Sequence, residues 1–175
     1  MPETGGARRR RRSGPSELPN VLQFMRLLWA VVHGLEKTSK RMVAELGVTG
    51  PQRLVLRAVG LFPGASAGDL SALLHLHPST LTGVLQRLTA QGLVERVSDP
   101  VDRRRAVLRL TRVGARTNTA TRGTVEAAVG AVLSRTSATD RRRTQIVLES
   151  LARQLGADLS APLVFSRLQS APRRR

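Results

Sequence analysis

The chain has 175 residues, no Cys and a formal net charge of +17 at pH 7. Its length suits one domain of ordinary size, and the lack of Cys excludes disulfides, thiolate metal sites and thiol-based oxidant sensing. The longest apolar runs are too short to span a membrane and the basic N-terminus is followed by no apolar stretch, so we expect a cytoplasmic protein without a secretory signal.

The positive charge is spread unevenly along the chain. Arg8 to Arg12 and Arg173 to Arg175 lie in polar tails that account for +7, which leaves +10 for the part between them. A folded part this basic favours a polyanionic partner, because each phosphate neutralised by Lys or Arg releases condensed counterions. The alternative is an Arg-rich proteome, since 27 of the 29 basic residues are Arg.

A long helix is predicted first. Residues 1–16 are mainly Gly, Pro, Ser and Arg, which predicts a disordered basic tail. From Glu17 to Gly47, apolar residues recur every three or four positions, as on one face of a helix. Thr49 then predicts the N-cap of a second helix with Pro51 in its first turn. This second helix is expected to bury Leu54, Val55, Ala58 and Leu61.

Two short helices joined by a tight turn follow. Ser66 predicts the start of the first, which places Leu70, Leu73 and Leu74 inward. The segment from His75 to His77 is the predicted turn, and Pro78 suits the first position of the next helix. In that helix the i, i+3, i+4, i+7 pattern predicts a core face made of Leu81, Val84, Leu85 and Leu88.

The opposite face of this last helix carries polar groups. Its members are Ser79, Thr80, Thr82, Gln86 and Arg87. Hydroxyl and amide groups bond to base edges or phosphates, and Arg binds guanine through two hydrogen bonds, so these residues are candidates for contacts in a DNA major groove. For Ser79 and Thr80 the alternative is helix capping, which is compatible with a phosphate contact.

A basic β-hairpin is predicted after Gly92. Residues 93–98 and 105–110 have strand-like apolar content, and the turn between them is rich in Asp, Pro and Arg. A helix-turn-helix followed by such a ribbon fits the major groove and reaches the adjacent minor groove. The candidates for DNA contact in this wing are Asp102, Arg103, Arg104 and Arg105. The pattern therefore predicts binding to duplex DNA.

Two more helices are predicted to close the chain. Thr111 begins a helical stretch to about Arg135, with an apolar face made of Val113, Val125, Val129, Val132 and Leu133. Residues 137–140 provide a cap for a last helix, which is expected to place Ile146, Val147, Leu148, Leu151 and Leu155 inward. Residues 157–175 are expected to form a loose basic tail.

The hairpin sequence LVERVSDPVDRRRAVLRLTRVG, together with PSTLT at the start of the preceding helix, resembles the MarR/SlyA family of bacterial transcriptional regulators. The most specific match is the run from Asp99 to Arg104 followed by Leu110, Thr111 and Gly114. The resemblance implies a mainly α fold with a small β-hairpin wing. It places a winged helix-turn-helix at residues 48–112, flanked by long dimerisation helices at residues 17–47 and 113–156.

The same resemblance implies a function. Members of this family are homodimers that bind a pseudo-palindromic operator, usually as repressors, which implies a cytoplasmic, nucleoid-associated protein. In the family, the acid of an Asp-x-Arg pair braces an Arg that enters the minor groove, and the matching residues here are Asp102 and Arg104. Arg103, Arg105 and Arg109 are then expected to contact phosphates or solvent. The Arg that enters the groove is assigned to within one position, so a neighbour of Arg104 is the alternative.

Many members of the family are released from DNA by small phenolic or aromatic ligands. The residues that would border such an effector cleft here are Phe24, Trp29, His33 and Phe62. Plain core packing is the alternative for these aromatic residues.

Other functions are disfavoured by what the sequence lacks. His75 and His77 are only two residues apart and no carboxylates cluster with them, so no metal site and no cofactor are expected. We find no phosphate loop, nucleophile motif or paired acidic cluster, which argues against an enzyme. The remaining alternative is a winged helix that serves protein interaction or non-specific DNA binding.

Overall fold

The computed structural model of the chain describes residues 19–99 and 102–159. They belong to two compact units, one that ends at Gly34 and one that begins at Leu35. The elements are α1 (Asn20–Leu46), α2 (Gly50–Leu61), α3 (Ala67–Leu74), α4 (Pro78–Ala90), β1 (Val94–Ser98), β2 (Ala106–Leu110), α5 (Arg112–Thr119), α6 (Val125–Leu133) and α7 (Ala138–Gln154). The predicted fold class, mainly α with a small β-hairpin, is confirmed. The predictions for residues 1–16 and 160–175 lie outside the described residues.

The first unit contains the beginning of α1. Its apolar side chains are largely exposed, among them Val21, Phe24 and Trp29. The helix ends at Leu46, and Gly47 follows with a φ of +70°, a conformation that suits Gly and confirms the predicted stop. Of the helices described, none combines the length and the apolar character that a membrane crossing needs.

In the second unit, α2 and α3 each begin with a capping box. The Thr49 hydroxyl accepts a hydrogen bond from the Gln52 backbone N–H at 3.3 Å, and Gln52 Oε1 accepts one from the Thr49 N–H at 2.7 Å. Ser66 and Asp69 make the same reciprocal pair. Each box satisfies backbone donors that a helix start leaves without partners. Both predicted helix starts are therefore confirmed.

The inner face of α4 lies at the centre of the core. Leu81, Leu85 and Leu88 are fully buried and Val84 nearly so, as predicted. They pack in one cluster with residues of α2, α3 and the hairpin: Val55, Leu56, Val59, Leu70, Leu93, Val94 and Leu108. Burial of these side chains fixes α4 and the hairpin to the same core.

The hairpin is also held by backbone hydrogen bonds. β1 and β2 are antiparallel, with Val94 opposite Leu110 and Ser98 opposite Ala106. The Leu108 N–H donates to the Ala65 carbonyl oxygen at 2.9 Å, which attaches β2 to the turn before α3. The Leu93 N–H donates to the Leu88 carbonyl oxygen at 2.9 Å, which ties the start of the hairpin to the end of α4. The hairpin therefore has a defined position beside α4.

The prediction for α2 is partly wrong. Val55 and Ala58 are buried as expected, but Leu54 and Leu61 are 50% and 63% exposed. The buried stripe of this helix runs through positions 52, 55, 56 and 59, which have helical spacing. Leu54 and Leu61 are seven residues apart and so share the outward face.

The predicted continuous helix from Thr111 to about Arg135 is also wrong. The structure has two helices there, separated by residues 120–124, which we call the connector. Ala120 is extended, Gly123 has a φ of +73°, and the Thr124 hydroxyl starts α6 by accepting a hydrogen bond from the Ala127 N–H at 3.2 Å. Extended and left-handed residues cannot continue an α-helix, so the chain changes direction.

The apolar faces predicted for the last helices are not buried within the chain. α7 begins at the expected Ser137 cap, yet Ile146, Val147, Leu148 and Leu155 are exposed and only Leu151 is half-buried. In the preceding segment, Val113, Val129, Val132 and Leu133 are exposed as well, and Val125 is half-buried. Helical periodicity identified one apolar face for each helix, but not what that face contacts.

At Gly114 the backbone of α5 packs directly against the backbone of Leu93, so a substitution there tests the packing of this core. A Cβ added there would lie 1.9 Å from the Leu93 carbonyl oxygen, a backbone atom that cannot move aside cheaply. We expect Gly114→Ala to lower the free energy of unfolding by about 3 kcal/mol, as measured by urea denaturation. In the matched control, Gly83→Ala, the new Cβ meets no atom within 4 Å. This control is expected to raise stability by about 0.5–1 kcal/mol, since Ala favours a helix interior. Equal stabilities of the two variants would contradict the clash.

Candidate nucleic-acid interface

The turn before α4 is closed by histidine. His75 ends α3 in the left-handed region with a φ of 49°, and the Ser71 hydroxyl donates to the Leu76 carbonyl oxygen at 2.6 Å. His77 is the N-cap of α4, and its Nδ1 accepts a hydrogen bond from the Ser79 N–H at 3.3 Å and lies 2.7 Å from Ser79 Oγ. Sequence reasoning missed this cap, because the usual N-cap residues are Ser, Thr, Asp and Asn. Neither Ser79 nor Thr80 caps the helix.

The outward side of α4 carries two rows of exposed polar residues. Ser79, Thr82 and Gln86 follow helical spacing along one row, and Thr80 and Arg87 lie seven residues apart on the next. All five are exposed, while the opposite side is buried. We call these five residues the α4 polar face. Their contacts with DNA stay predictions.

The tip of the hairpin is organised by Asp102. Its carboxylate accepts a hydrogen bond from the Arg104 backbone N–H at 3.0 Å, and its carbonyl oxygen accepts one from the Arg105 N–H at 2.9 Å. The Asp99 N–H donates to the Arg105 carbonyl oxygen at 2.9 Å, which closes the base of the turn. Asp102 therefore braces the backbone of the tip, and no ion pair between its side chain and that of Arg104 occurs among the described residues.

The arginines of the tip differ in their surroundings. Arg103 and Arg104 are exposed, whereas Arg105 is half-buried. The Arg105 guanidinium lies 3.4 Å from Asp69 Oδ2, the same oxygen that accepts the hydrogen bonds of Ser66 in the α3 capping box. This ion pair connects the base of the wing to α3. Among the described residues, Arg103 and Arg104 are thus the tip arginines that are exposed and take part in no ion pair.

The residues predicted to border an effector cleft lie in both units. Phe24, Trp29 and His33 are exposed on the first part of α1. Phe62 is the C-cap of α2, half-buried against the core of the second unit. Their role in ligand binding stays a prediction. The described residues contain no group of three or more His, Asp and Glu side chains that would hold a metal ion.

Comparison with known proteins identifies the family. The sequence profile of the MarR family matches residues 46–105, which cover α2 to α4 and the hairpin up to Arg105. This segment of the chain therefore belongs to the MarR family. The transcriptional regulator TtmR of Methylorubrum extorquens is 33% identical over 103 residues, 59% of this chain and 52% of that protein. The transcriptional activatory protein BadR of Rhodopseudomonas palustris is 36% identical over 101 residues, 56% of this chain and 57% of that protein.

The chain thus spans about half the length of these two relatives. Solved structures extend the likeness to more of the chain. The crystal structure of CouR from Rhodococcus jostii RHA1 bound to p-coumaroyl-CoA has a TM-score of 0.60 and 26% identity. That match covers 76% of this chain and 92% of CouR. The fold of this chain is therefore similar to that of CouR over about three quarters of its length.

Two substitutions of Asp102 separate the effect of its hydrogen bond from the effect of its negative charge. Asp102→Asn keeps an oxygen that accepts from the Arg104 N–H, whereas Asp102→Ala removes charge and acceptor together. We expect Asp102→Ala to bind duplex DNA about 1 kcal/mol more weakly than Asp102→Asn, because the tip loses a hydrogen bond that orders it. Fluorescence anisotropy with a labelled duplex at constant salt measures both. Identical affinities of the two variants would show that this hydrogen bond has no part in binding.

Proposed function

We propose that this protein is a transcriptional regulator that binds duplex DNA sequence-specifically, as a homodimer on a pseudo-palindromic operator. The observation that carries the proposal is the shared core of α4 and the hairpin, which presents the α4 polar face and the arginine tip together. The transcriptional roles in the names of TtmR and BadR support it. The sign of regulation is a separate property, since BadR is named an activatory protein.

The chemistry of the two surfaces suits the two grooves of DNA. The hydroxyl of Thr82, the amide of Gln86 and the guanidinium of Arg87 are groups that bond to base edges in the major groove. Arg103 and Arg104 suit the narrow, negative minor groove, where a cationic side chain is attracted. Among the described residues, none of these three arginines takes part in an ion pair, so their charges are available to phosphates.

The homodimer is proposed from the apolar residues exposed on α6 and α7. Val129, Val132, Leu133, Ile146, Val147 and Leu148 are each 42–64% exposed. Extended apolar surface of this kind favours association with another protein surface. A second copy related by a two-fold axis would cover it and present two winged helices to two half-sites, which accounts for a pseudo-palindromic operator.

Filter binding at increasing salt tests the function. The logarithm of the association constant for duplex DNA is expected to fall linearly with the logarithm of salt concentration, because bound cations displace condensed counterions. Selection from a randomised duplex pool is expected to return an inverted repeat, and sedimentation to give twice the chain mass. Binding to a selected duplex no tighter than to random DNA would favour a non-specific module, and absence of duplex binding would favour a protein-interaction module.

Two substitutions test the two kinds of proposed DNA contact, one that contributes affinity in the minor groove and one that determines base preference in the major groove. We expect Arg104→Ala to weaken binding to the selected operator by about 1–3 kcal/mol, the scale of a good groove contact. Gln86→Ala is expected to change which bases are selected at one position of each half-site. The control is Arg141→Ala, which removes an exposed charge of the same kind from α7. Equal losses for Arg104→Ala and Arg141→Ala in a gel-shift series would assign only bulk charge to Arg104.

Release by a small aromatic ligand is the regulatory part of the proposed function. The complex of CouR with p-coumaroyl-CoA supports an aromatic or phenolic effector. Trp29 is the only Trp of the chain and lies 63% exposed on α1, so its fluorescence reports on a ligand that binds near it.

We expect phenolic acids such as p-coumarate to change the Trp29 emission saturably and to release the operator over the same concentration range. A Trp29→Phe variant supplies the control, because it removes the signal and leaves release to be followed by anisotropy of the DNA. Release without any change in emission would remove Trp29 from the effector site.

A further inference from the structure

A buried arginine holds the connector between α5 and α6. Arg53 lies on α2 and is only 1% exposed. Its Nε donates to Glu126 Oε1 at 2.6 Å, and its Nη1 donates to the Thr117 carbonyl oxygen at 2.5 Å. Its Nη2 donates to the carbonyl oxygens of Asn118, at 3.1 Å, and Ala120. One side chain thus binds the end of α5, the beginning of the connector and the first turn of α6.

The chemistry of these partners requires a guanidinium. The carbonyl groups at the end of α5 have no partners within the helix and carry the negative end of its dipole, so a cation suits them. Arg presents five N–H donors in a fixed planar arrangement, whereas Lys has three donors on one atom. A buried charge is costly unless it is paired and hydrogen-bonded, and each of the three guanidinium nitrogens of Arg53 has a hydrogen-bond partner. Because such pairs add little net stability, a role in fixing one conformation fits Arg53 better.

Two further arginines of the second unit bind the end of α5 and the connector. Arg57 Nη1 lies 3.2 Å from the Asn118 carbonyl oxygen and 3.3 Å from its side-chain oxygen. Arg41, in the part of α1 after Gly34, donates from Nη2 to the Gly123 carbonyl oxygen at 3.2 Å. Arg53 differs from both because it alone of the three is buried and also binds α6, through Glu126.

The connector is the covalent path from the wing to α6. α5 follows β2 directly and packs against α2 and β2, so it belongs to the winged helix. α6 carries part of the exposed apolar surface assigned above to the second copy. The conformation of residues 120–124 therefore sets the angle between the DNA-reading elements and the proposed dimer helices.

The geometry points to Arg53 as a positioning residue that fixes this angle and thereby selects the spacing between the two half-sites of an operator. The selection of spacing rests on the proposed function, while the fixed angle does not. Half-site spacing follows from where a dimer holds its two reading helices. If the connector samples several conformations, the two helices fit several spacings, and the preference for one spacing weakens.

The first experiment measures the angle without DNA. Because the chain has no Cys, Thr89→Cys on α4 and Arg135→Cys after α6 place two spin labels at exposed positions of one protomer. Labelled chain diluted with an excess of unlabelled chain is measured by double electron–electron resonance. We expect Arg53→Lys to broaden the distance distribution about twofold relative to wild type, since the charge is kept but most of the hydrogen bonds to α5, Ala120 and Glu126 are lost.

Two variants complete this experiment. Glu126→Gln keeps Arg53 and its carbonyl partners and is expected to broaden the distribution less, which gives a readout even if Arg53→Lys folds poorly. Arg153→Lys is the control, because Arg153 makes a similar pair with Glu149 at 3.6 Å on the surface of α7. Unchanged distributions for Arg53→Lys and Glu126→Gln would overturn the inference.

The second experiment uses duplexes in which two selected half-sites are separated by increasing numbers of base pairs. We expect the affinity ratio between the best spacing and its neighbours to fall about tenfold in Arg53→Lys, while base preference within a half-site is unchanged. A broadened distance distribution with an unaltered spacing preference would overturn the selection of spacing. If wild type binds no duplex while Arg53→Lys still broadens the distribution, the proposed function fails and the positioning role stands.

Discussion

The packing of α4 into the core is the interaction on which the rest of the structure depends. Leu81, Leu85 and Leu88 are buried among residues of α2, α3 and the hairpin, so a single apolar cluster fixes three neighbouring elements. The α4 polar face points outward because the opposite face is committed to that cluster. The wing is attached to the same cluster through Leu93, and backbone hydrogen bonds to α4 and to the turn before α3 hold it in place.

This arrangement gives arginine three different roles in one small domain. Arg53 is buried, and its hydrogen bonds to carbonyl and carboxylate oxygens hold the end of α5, Ala120 of the connector and the first turn of α6. Arg105 is half-buried and pairs with Asp69, which links the wing to α3. Arg103 and Arg104 lie exposed in the turn between β1 and β2. Net charge alone does not distinguish these roles, because they depend on which oxygens the fold places within reach of each guanidinium.

The terminal helices differ from the winged helix in how far their apolar residues are buried. Their apolar residues are exposed in the single chain, although the spacing of those residues is as regular as in α4. The change occurs at the connector. Before it, α5 packs against α2 and β2, whereas after it the apolar residues of α6 and α7 are largely exposed. A fold built this way has a closed core that positions α4 and the hairpin, and an exposed apolar surface on α6 and α7.

The sequence by itself determined much of the local structure, although not the His77 cap or the break at residues 120–124. The caps at Thr49, Ser66 and Ser137 and the apolar spacing of α4 could be predicted, because each depends on residues within one or two turns of helix. The exposed positions of the α4 polar face and the existence of the wing followed from the same patterns. The similarity to the MarR family could be inferred as well, since the most specific run of residues, Asp99 to Arg104, is contiguous in the sequence.

Only the tertiary structure decided the features that join distant residues. Arg53 binds Thr117 and Glu126, which are 64 and 73 positions away, and nothing in the local sequence of α2 indicates those partners. The same holds for the pair of Arg105 with Asp69 and for the outward direction of Leu54 and Leu61. Periodicity shows that a helix has an apolar face, but the burial of that face and the pairing of a charge depend on which elements the fold brings together.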